Sequence, residues 1–311
     1  MKTDSPDAGK QKSRCSVPPL VWSVIRITGT VGVFYVLMCA FLYFRQSSYV
    51  YYPTRPVNLT PRSWSMSYEN VEISTEDGET LSGWYVPAST NAETAGGKPA
   101  VLFCHGNGGN IADRLCSIKT FRDMGFNVLI FDYRGYGEST GKTDEQGTYN
   151  DAAAVWRYLV EQRNIRPERI VIFGRSLGGS IAAWLAERVN CGALVIESTF
   201  TSAPDMAAKM FPFLPGRLIC SFSYDSAKRI DRAGCPVVIA HSRDDEMIPF
   251  DHGQRLFESA REPKLFVEMS GSHNAGGLDA DPEYQANLSE FLKKHLGAAQ
   301  DSDFSPSGTQ H

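Results

Sequence analysis

A serine flanked on each side by a glycine two residues away has the type and spacing of a catalytic nucleophile. Residues 174–178 read GRSLG, a G-x-S-x-G pattern with Ser176 at its centre. An apolar run at 170–173 precedes it and a helical pattern follows from Gly179. The pattern therefore lies at a strand-to-helix turn, where a strained, exposed serine can act as a nucleophile. The alternative is a glycine-rich turn without chemistry.

A nucleophilic serine requires a base that takes its proton and an acid that orients the base. At this type of turn their order along the chain is serine, acid, histidine. His273 lies in the sequence GSHN, directly after the last predicted strand. The other histidines fit this order or this position less well: His105, His241, His252, His295 and His311. We therefore predict that His273 is the base, the alternative being a surface histidine.

The orienting acid is expected in the loop that follows the strand PVVIA. That loop reads HSRDDEMIP and offers three carboxylates, Asp244, Asp245 and Glu246. We predict Asp245, from its position in the loop four residues before the proline. Glu197 and Asp244 stay open as rivals. Glu197 ends the preceding predicted strand, and the carboxyl ends of parallel strands converge on one edge of the sheet.

Acyl transfer to a serine also requires two N–H groups that hold the developing oxyanion. The first is predicted to be the backbone N–H of Leu177, directly after the serine. The second is expected from the segment HGNGGN at 105–110, after the first parallel strand. We predict the N–H of Asn107, because the flanking glycines let the backbone approach a substrate closely. A phosphate-binding loop is the alternative, but no G-K-[ST] follows. These groups require no metal or organic cofactor.

The elements that must position these groups alternate between strand and helix. A hairpin is predicted at 68–74 and 80–86, and strands follow at 100–104, 127–131, 169–173, 193–197, 236–241 and 264–269. Helical patterns lie at about 111–124, 149–163, 179–189, 250–260 and 282–295. The alternation predicts an α/β fold with a mostly parallel sheet, helices on both faces and the antiparallel hairpin at one edge.

Residues 198–232 lie where a lid could be inserted, and two short helices are expected to cover them. The segment is too short for a separate cap domain, so the site is expected to be open. Its apolar residues are either a wall for an acyl group or an ordinary cover for the core.

Five motifs resemble those of serine hydrolases of the α/β-hydrolase superfamily, and most closely the branch with one N-terminal membrane span and a minimal cap. They are HGNGGN at 105–110, FDYRGYGES at 131–139, FGRSLGG at 173–179, HSRDDEMIP at 241–249 and GSHN at 271–274. The resemblance covers roughly residues 68–295 and implies the α/β-hydrolase fold. It also implies Ser176 as nucleophile, Asp245 as acid and His273 as base, with a structural loop at 132–137. Ser242 departs from the pattern, since relatives often have glycine there.

The reaction implied by this resemblance is hydrolysis of an acyl ester or thioester, with lipids among the expected substrates, through an acyl-enzyme. Two alternatives stay open: a peptidase-like amide hydrolase, and a catalytically silent fold used for binding. The net charge of −4 gives no reason to expect nucleic acid. The seven cysteines show no metal-site or disulfide spacing. A monomer is expected.

The N-terminal residues have the pattern of a membrane anchor. Residues 1–19 are polar and basic and are expected to be disordered, and residues 20–44 are apolar except for Arg26. The charge-free part, 27–44, extends roughly 27 Å as a helix, against about 30 Å for a hydrocarbon core. We predict one transmembrane helix; a cleaved signal peptide and a buried core helix are the alternatives. The Lys/Arg bias predicts an extracytoplasmic catalytic domain.

Three further segments complete the predicted organisation. Residues 45–65 contain three prolines and are predicted to be a linker. Its part at 49–65 would reach about 50–60 Å at full extension. Residues 66–296 form the α/β-hydrolase domain. Residues 297–311 are polar and are expected to be disordered.

Overall fold

The computed structural model describes residues 18–89 and 97–298. The chain divides into two units, 1–44 and 45–311. The disorder predicted for the two ends falls almost entirely on 1–17 and 299–311, which lie outside the described residues. Within them, the first helix begins at Pro19 and the last continues to Ala298.

Ten strands and ten α-helices make up the described part of the chain. The strands are β1 (Tyr52–Pro53), β2 (Glu69–Ser74), β3 (Thr80–Val86), β4 (Ala100–Cys104), β5 (Gly108–Gly109), β6 (Asn127–Phe131), β7 (Ile170–Arg175), β8 (Ala193–Glu197), β9 (Val237–Ser242) and β10 (Lys264–Met269). The helices are α1 (Pro19–Arg45), α2 (Ser47–Val50), α3 (Leu115–Asp123), α4 (Glu145–Arg157), α5 (Leu177–Ala186), α6 (Ala203–Met210), α7 (Gly216–Ile219), α8 (Ser226–Ile230), α9 (Phe250–Ser259) and α10 (Pro282–Ala298).

Helix α1 is a candidate membrane span. It is 27 residues long and none of its residues is buried. Its length and composition are sufficient to cross a membrane, a test that a signal sequence near an N-terminus also passes.

Eight strands form one sheet in the order β2-β3-β6-β4-β7-β8-β9-β10. Strand β3 is antiparallel to both β2 and β6, and all the other pairs are parallel. Strand β4 lies between β6 and β7, so the direction in which strands are added reverses there. Ligands in open α/β sheets bind at such a reversal, beyond the carboxyl ends of the strands.

The sheet carries apolar core on both faces. In β4, Leu102 belongs to one buried cluster with residues of α4 and α5, such as Val155 and Ile181. Its neighbour Phe103 belongs to the other cluster, with residues of α3 and α10, such as Ile118 and Leu292. Because adjacent side chains point to opposite faces of a strand, both faces are covered by helices. The predicted α/β-hydrolase fold, with a mostly parallel sheet, is confirmed.

Residues 46–54, which we call the bridging segment, pack against the hydrolase domain. Tyr51 is buried, and its hydroxyl lies 2.7 Å from the hydroxyl of Tyr224. Strand β1 pairs with β5 in a separate parallel ladder, and the N–H of Thr54 donates to the Gly109 carbonyl at 3.1 Å. Over these residues, hydrogen bonds hold the predicted linker to the domain.

The segment 198–232, which we call the cap segment, contains three short helices, α6, α7 and α8, where two were predicted. Helices α6 and α7 pack on each other, and α8 packs against α5. The cap segment therefore lies on the domain without forming a second core.

Candidate active site

Ser176 occupies the turn between β7 and α5 in a strained backbone conformation. Its φ is 54° and its ψ is −123°, a region that L-residues rarely adopt. A Cβ on Gly174 would lie 2.3 Å from the Gly178 carbonyl oxygen, and a Cβ on Gly178 would lie 2.0 Å from that of Cys104. The strand and helix can therefore approach this closely only with glycine at both positions, which is the steric reason for glycine on either side of the serine in the sequence pattern.

Ser176, His273 and Asp245 form a continuous hydrogen-bonded chain. His273 Nε2 lies 3.1 Å from Ser176 Oγ, and His273 Nδ1 lies 2.8 Å from Asp245 Oδ2. The other carboxylate oxygen of Asp245 accepts the N–H groups of Met247 and Ile248 at 2.9 and 2.8 Å. Burial by itself would raise the pKa of Asp245, but its hydrogen bonds with His273 and these N–H groups hold that pKa below its ordinary value. An ionised Asp245 favours the tautomer with the proton on Nδ1, which leaves Nε2 to accept from the serine.

The two rival acids have other partners. Glu197 is buried, its Oε1 lies 3.3 Å from Arg175 Nε, and its Oε2 accepts the Leu278 N–H at 2.9 Å. Burial raises the pKa of Glu197. Asp244 accepts only a long hydrogen bond, 3.4 Å, from the N–H of Gly271. Neither rival makes a hydrogen bond to the ring of His273 in the described structure.

Arg175 and Glu246 hold the loop that carries His273, and sequence reasoning gave neither of them this role. The Nη2 of Arg175 donates to the carbonyls of His273 and Gly276 at 3.0 and 2.7 Å. Glu246 Oε2 accepts the N–H of His273 at 3.0 Å. Glu197 contributes to holding the same loop, because it pairs with Arg175. No local pattern identifies these contacts, because they join residues from separate strands.

The segment 105–110 lies directly beside the serine. A Cβ on Gly106 would be 3.6 Å from Ser176 Cβ. The carbonyl of Asn107 accepts the hydroxyl of Tyr136 at 2.8 Å and the N–H of Tyr52 at 3.1 Å. Among the described residues, no acceptor takes a hydrogen bond from the backbone N–H of Asn107 or Leu177. These are the two N–H groups predicted to bind an oxyanion.

The bridging segment completes the support of this loop. Asn107 Nδ2 donates to the Val50 carbonyl at 3.0 Å, and Asn110 Nδ2 donates to the carbonyls of Thr54 and Pro56 at 3.0 and 2.9 Å. The predicted linker thus supplies acceptors to the candidate oxyanion loop. Sequence reasoning missed this role, since proline and polar residues in that stretch are also typical of a linker.

Beneath the loop lies a buried pair, His105 and Asp132. His105 Nε2 is 3.8 Å from Asp132 Oδ1, which accepts the Ile111 N–H. Burial lowers the pKa of His105 to about 3 and raises that of Asp132 to about 7. Between about pH 3 and 7 the pair is therefore uncharged. Tyr133 OH donates to the His105 carbonyl at 2.9 Å, so residues of the stretch 132–137 support the loop, the structural role that the resemblance implies.

Within residues 18–89 and 97–298, no group of three His, Cys, Asp or Glu side chains is arranged to hold a metal ion. The arrangement around Ser176 is instead suited to nucleophilic attack. A serine hydroxyl, a histidine ring, a carboxylate and two backbone N–H groups lie there at the carboxyl ends of β4, β7, β9 and β10, the groups that such an attack would require.

The chain belongs to the α/β-hydrolase fold family, whose profile matches residues 99–219. An uncharacterised protein of Mycobacterium tuberculosis is 35% identical over 272 residues, covering 87% of this chain and 90% of that protein. The alpha/beta hydrolase domain-containing protein WAV2 of Arabidopsis thaliana is 32% identical over 283 residues, covering 83% and 91%. Among solved structures, the Pyrococcus furiosus esterase Pf2001 aligns with a TM-score of 0.64 at 24% identity, over 79% of this chain and 100% of that one.

Proposed function

We propose that this protein is a membrane-anchored serine hydrolase that cleaves an acyl ester or thioester. The observation that carries the proposal is the hydrogen-bonded chain from Ser176 Oγ through His273 to Asp245, with distances of 3.1 and 2.8 Å. Its position at the reversal of a mostly parallel sheet supports it, as does membership of the family. The esterase named among the similar structures favours an acyl substrate.

The proposed reaction proceeds in two halves. His273 Nε2 takes the proton of Ser176 as Oγ attacks the acyl carbonyl, and the ionised Asp245 stabilises the imidazolium that forms. The N–H groups of Asn107 and Leu177 bind the oxyanion. His273 then protonates the leaving alcohol or thiol. Water repeats the sequence on the acyl-enzyme, with His273 as base, and releases the acid.

Ser176→Ala tests the nucleophile. We expect loss of covalent labelling by a fluorophosphonate probe and a fall in kcat of several orders of magnitude on short p-nitrophenyl esters. The matched control is Ser259→Ala, which removes a hydroxyl that donates to the Arg255 carbonyl. Retained labelling of Ser176→Ala would remove the assignment. A wild-type protein that neither labels nor turns over esters would favour a binding role, and turnover of amides alone would favour the peptidase-like alternative.

The anchor is part of the proposal. We propose that α1 spans the membrane once without cleavage, with residues 1–19 inside and the hydrolase domain outside the cytoplasm. The absence of charge at 27–44 and the Lys/Arg bias before it support this topology. Protease treatment of intact cells, with antibodies to each end, should digest the domain and spare the N-terminus. Protection of the domain would reverse the orientation, and release of the protein by carbonate would exclude the span.

A further inference from the structure

The turn between α6 and α7 exposes large apolar side chains. Met210 is 62% exposed, Phe213 91% and Leu218 86%. We call residues 209–213 and 217–218 the cap tip. By contrast, Met206, one helical turn before Met210, packs against the main core. Exposed apolar groups that cluster in this way mark surfaces that contact a partner or a membrane.

The cap tip lies close to Gln46 within the unit 45–311. Gln46 follows the last residue of α1, Arg45. Its Nε2 donates to the Ile219 carbonyl at 2.7 Å, and its Oε1 accepts the Ser221 N–H at 2.7 Å. From the lengths of these bonds and side chains, the Cα atoms of Gln46 and Leu218 lie within about 14 Å of each other. A residue directly after a span lies in or next to the headgroup region, which is roughly 5–8 Å thick in each leaflet.

The same segment connects the span to the candidate active site. Val50 and Tyr52, which bond Asn107, are only six and eight residues beyond Phe44, where the predicted span ends. Helix α2 covers four of the intervening residues, and four residues of helix extend only about 6 Å. The bridging segment therefore ties the oxyanion loop to residues that follow closely after the candidate span in the chain.

We propose that the cap tip inserts into the headgroup–acyl boundary of the membrane that holds α1, and that the substrate is a long-chain acyl lipid of that leaflet. This inference rests on the proposed function and names the substrate class for the same site. Lys209 is exposed beside the apolar residues, and Arg217 is exposed there in an ion pair with Asp205 at 2.8 Å. A basic residue beside exposed apolar groups favours anionic headgroups.

The first experiment compares two substrates with full-length protein in vesicles of phosphatidylcholine and phosphatidylglycerol. The variant Met210→Ser/Leu218→Ser removes apolar contact at the cap tip, and Met210→Leu/Leu218→Met is the matched apolar control. We expect the serine pair to lose about tenfold or more in kcat/KM on a fluorogenic long-chain ester embedded in the vesicle. Its activity on water-soluble p-nitrophenyl acetate should stay within about twofold, since neither residue contacts the triad. The control should match wild type on both substrates.

The results that would contradict the inference are distinct from those that would contradict the proposed function. Equal activity of the serine pair and wild type on the embedded ester would overturn the inference, and so would an equal loss on both substrates. A wild-type protein inactive on the soluble ester would refute the proposed function instead. Membrane contact is measured separately, as quenching of the tryptophan fluorescence of Leu218→Trp by brominated lipids. The control is the wild-type protein, with its five native tryptophans. Quenching beyond that of wild type supports insertion. Its absence, or burial of the new tryptophan in a dimer, excludes insertion.

Discussion

Replacing Asp245 by asparagine tests the role of the acid, because the structure dictates which way the new amide must point. Asp245 Oδ1 accepts two N–H groups, from Met247 and Ile248. An amide nitrogen cannot accept them, so the oxygen of asparagine must take the Oδ1 position. The NH₂ group then faces His273 Nδ1 at about the present 2.8 Å. It donates to Nδ1, which places the ring proton on Nε2.

That tautomer directs an N–H at Ser176 Oγ, 3.1 Å away, where a lone pair is required. Loss of tautomer control in a serine–histidine–aspartate triad lowers kcat by about 10⁴, which corresponds to roughly 5.5 kcal/mol in activation free energy. KM should change little, since Asp245 lies behind the histidine. The unfolding free energy should fall by only about 1–2 kcal/mol, because both backbone hydrogen bonds to position 245 survive.

The assay is turnover of p-nitrophenyl butyrate by Asp245→Asn, Glu197→Gln and Asp244→Asn in parallel, with urea unfolding of each. Asp244→Asn should stay within about threefold of wild type, since that carboxylate accepts only a long hydrogen bond. Glu197→Gln should lose at most about tenfold, because it acts through Arg175 on the loop of His273. The reasoning is refuted if Asp245→Asn keeps more than about a tenth of wild-type kcat, or if Glu197→Gln loses more than it does.

Two further predictions concern the support of the site. Gly178→Ala places a methyl group 2.0 Å from the Cys104 carbonyl oxygen. Esterase activity and the thermal unfolding midpoint should therefore both fall. A variant with wild-type values of both would contradict the steric argument. The second concerns pH, measured by urea unfolding in detergent. Between about pH 4 and 6.5 the buried pair of His105 and Asp132 binds one proton in the native state, on Asp132. The same two residues bind one proton in the unfolded state, on His105. The pair therefore adds no pH dependence to the unfolding free energy in this range. Asp132→Asn leaves only the depressed pKa of His105, and stability relative to wild type should fall as pH drops from 6.5, by up to about 1.4 kcal/mol per unit. His105→Gln leaves only the raised pKa of Asp132, and relative stability should fall as pH rises from about 4 to 7; parallel curves for both variants and wild type would refute the balance.

Several strands of the sheet were predictable because each is a short, mostly apolar run bounded by polar or glycine-rich turns. Strands β4, β6, β8 and β10 begin and end at the predicted residues. Helix ends were harder. Helix α4 begins at Glu145, four residues before its predicted start, because Asp144 accepts the Gly147 N–H and caps the helix. Helix α5 begins at Leu177 rather than 179, directly after the strained serine. A cap or a strained turn leaves little trace in apolar periodicity.

Much of the candidate site was also predictable, because its groups lie in short motifs at strand ends. The strand–turn–helix around Ser176 requires glycine at fixed offsets, which is a local steric condition visible in five letters. The position of His273 after the last strand follows from chain order. The supporting contacts of Arg175 and Tyr133 were not predictable, because an arginine or tyrosine at a strand end has many available partners.

The sequence by itself determined the strand–helix alternation, the elbow around Ser176 and the apolar candidate span, because each depends on residues that are close along the chain. Only the tertiary structure decided which carboxylate reaches His273. Each of the three candidate acids ends or follows a strand: Asp244, Asp245 and Glu197. The packing of the strands decides that Asp245, 28 residues before His273 in the chain, is the one whose carboxylate contacts the His273 ring. It also decided that the bridging segment supports the candidate oxyanion loop. The hydrogen bond between Asn107 and Val50 joins residues 57 positions apart, and such a contact leaves no periodic signal in the sequence.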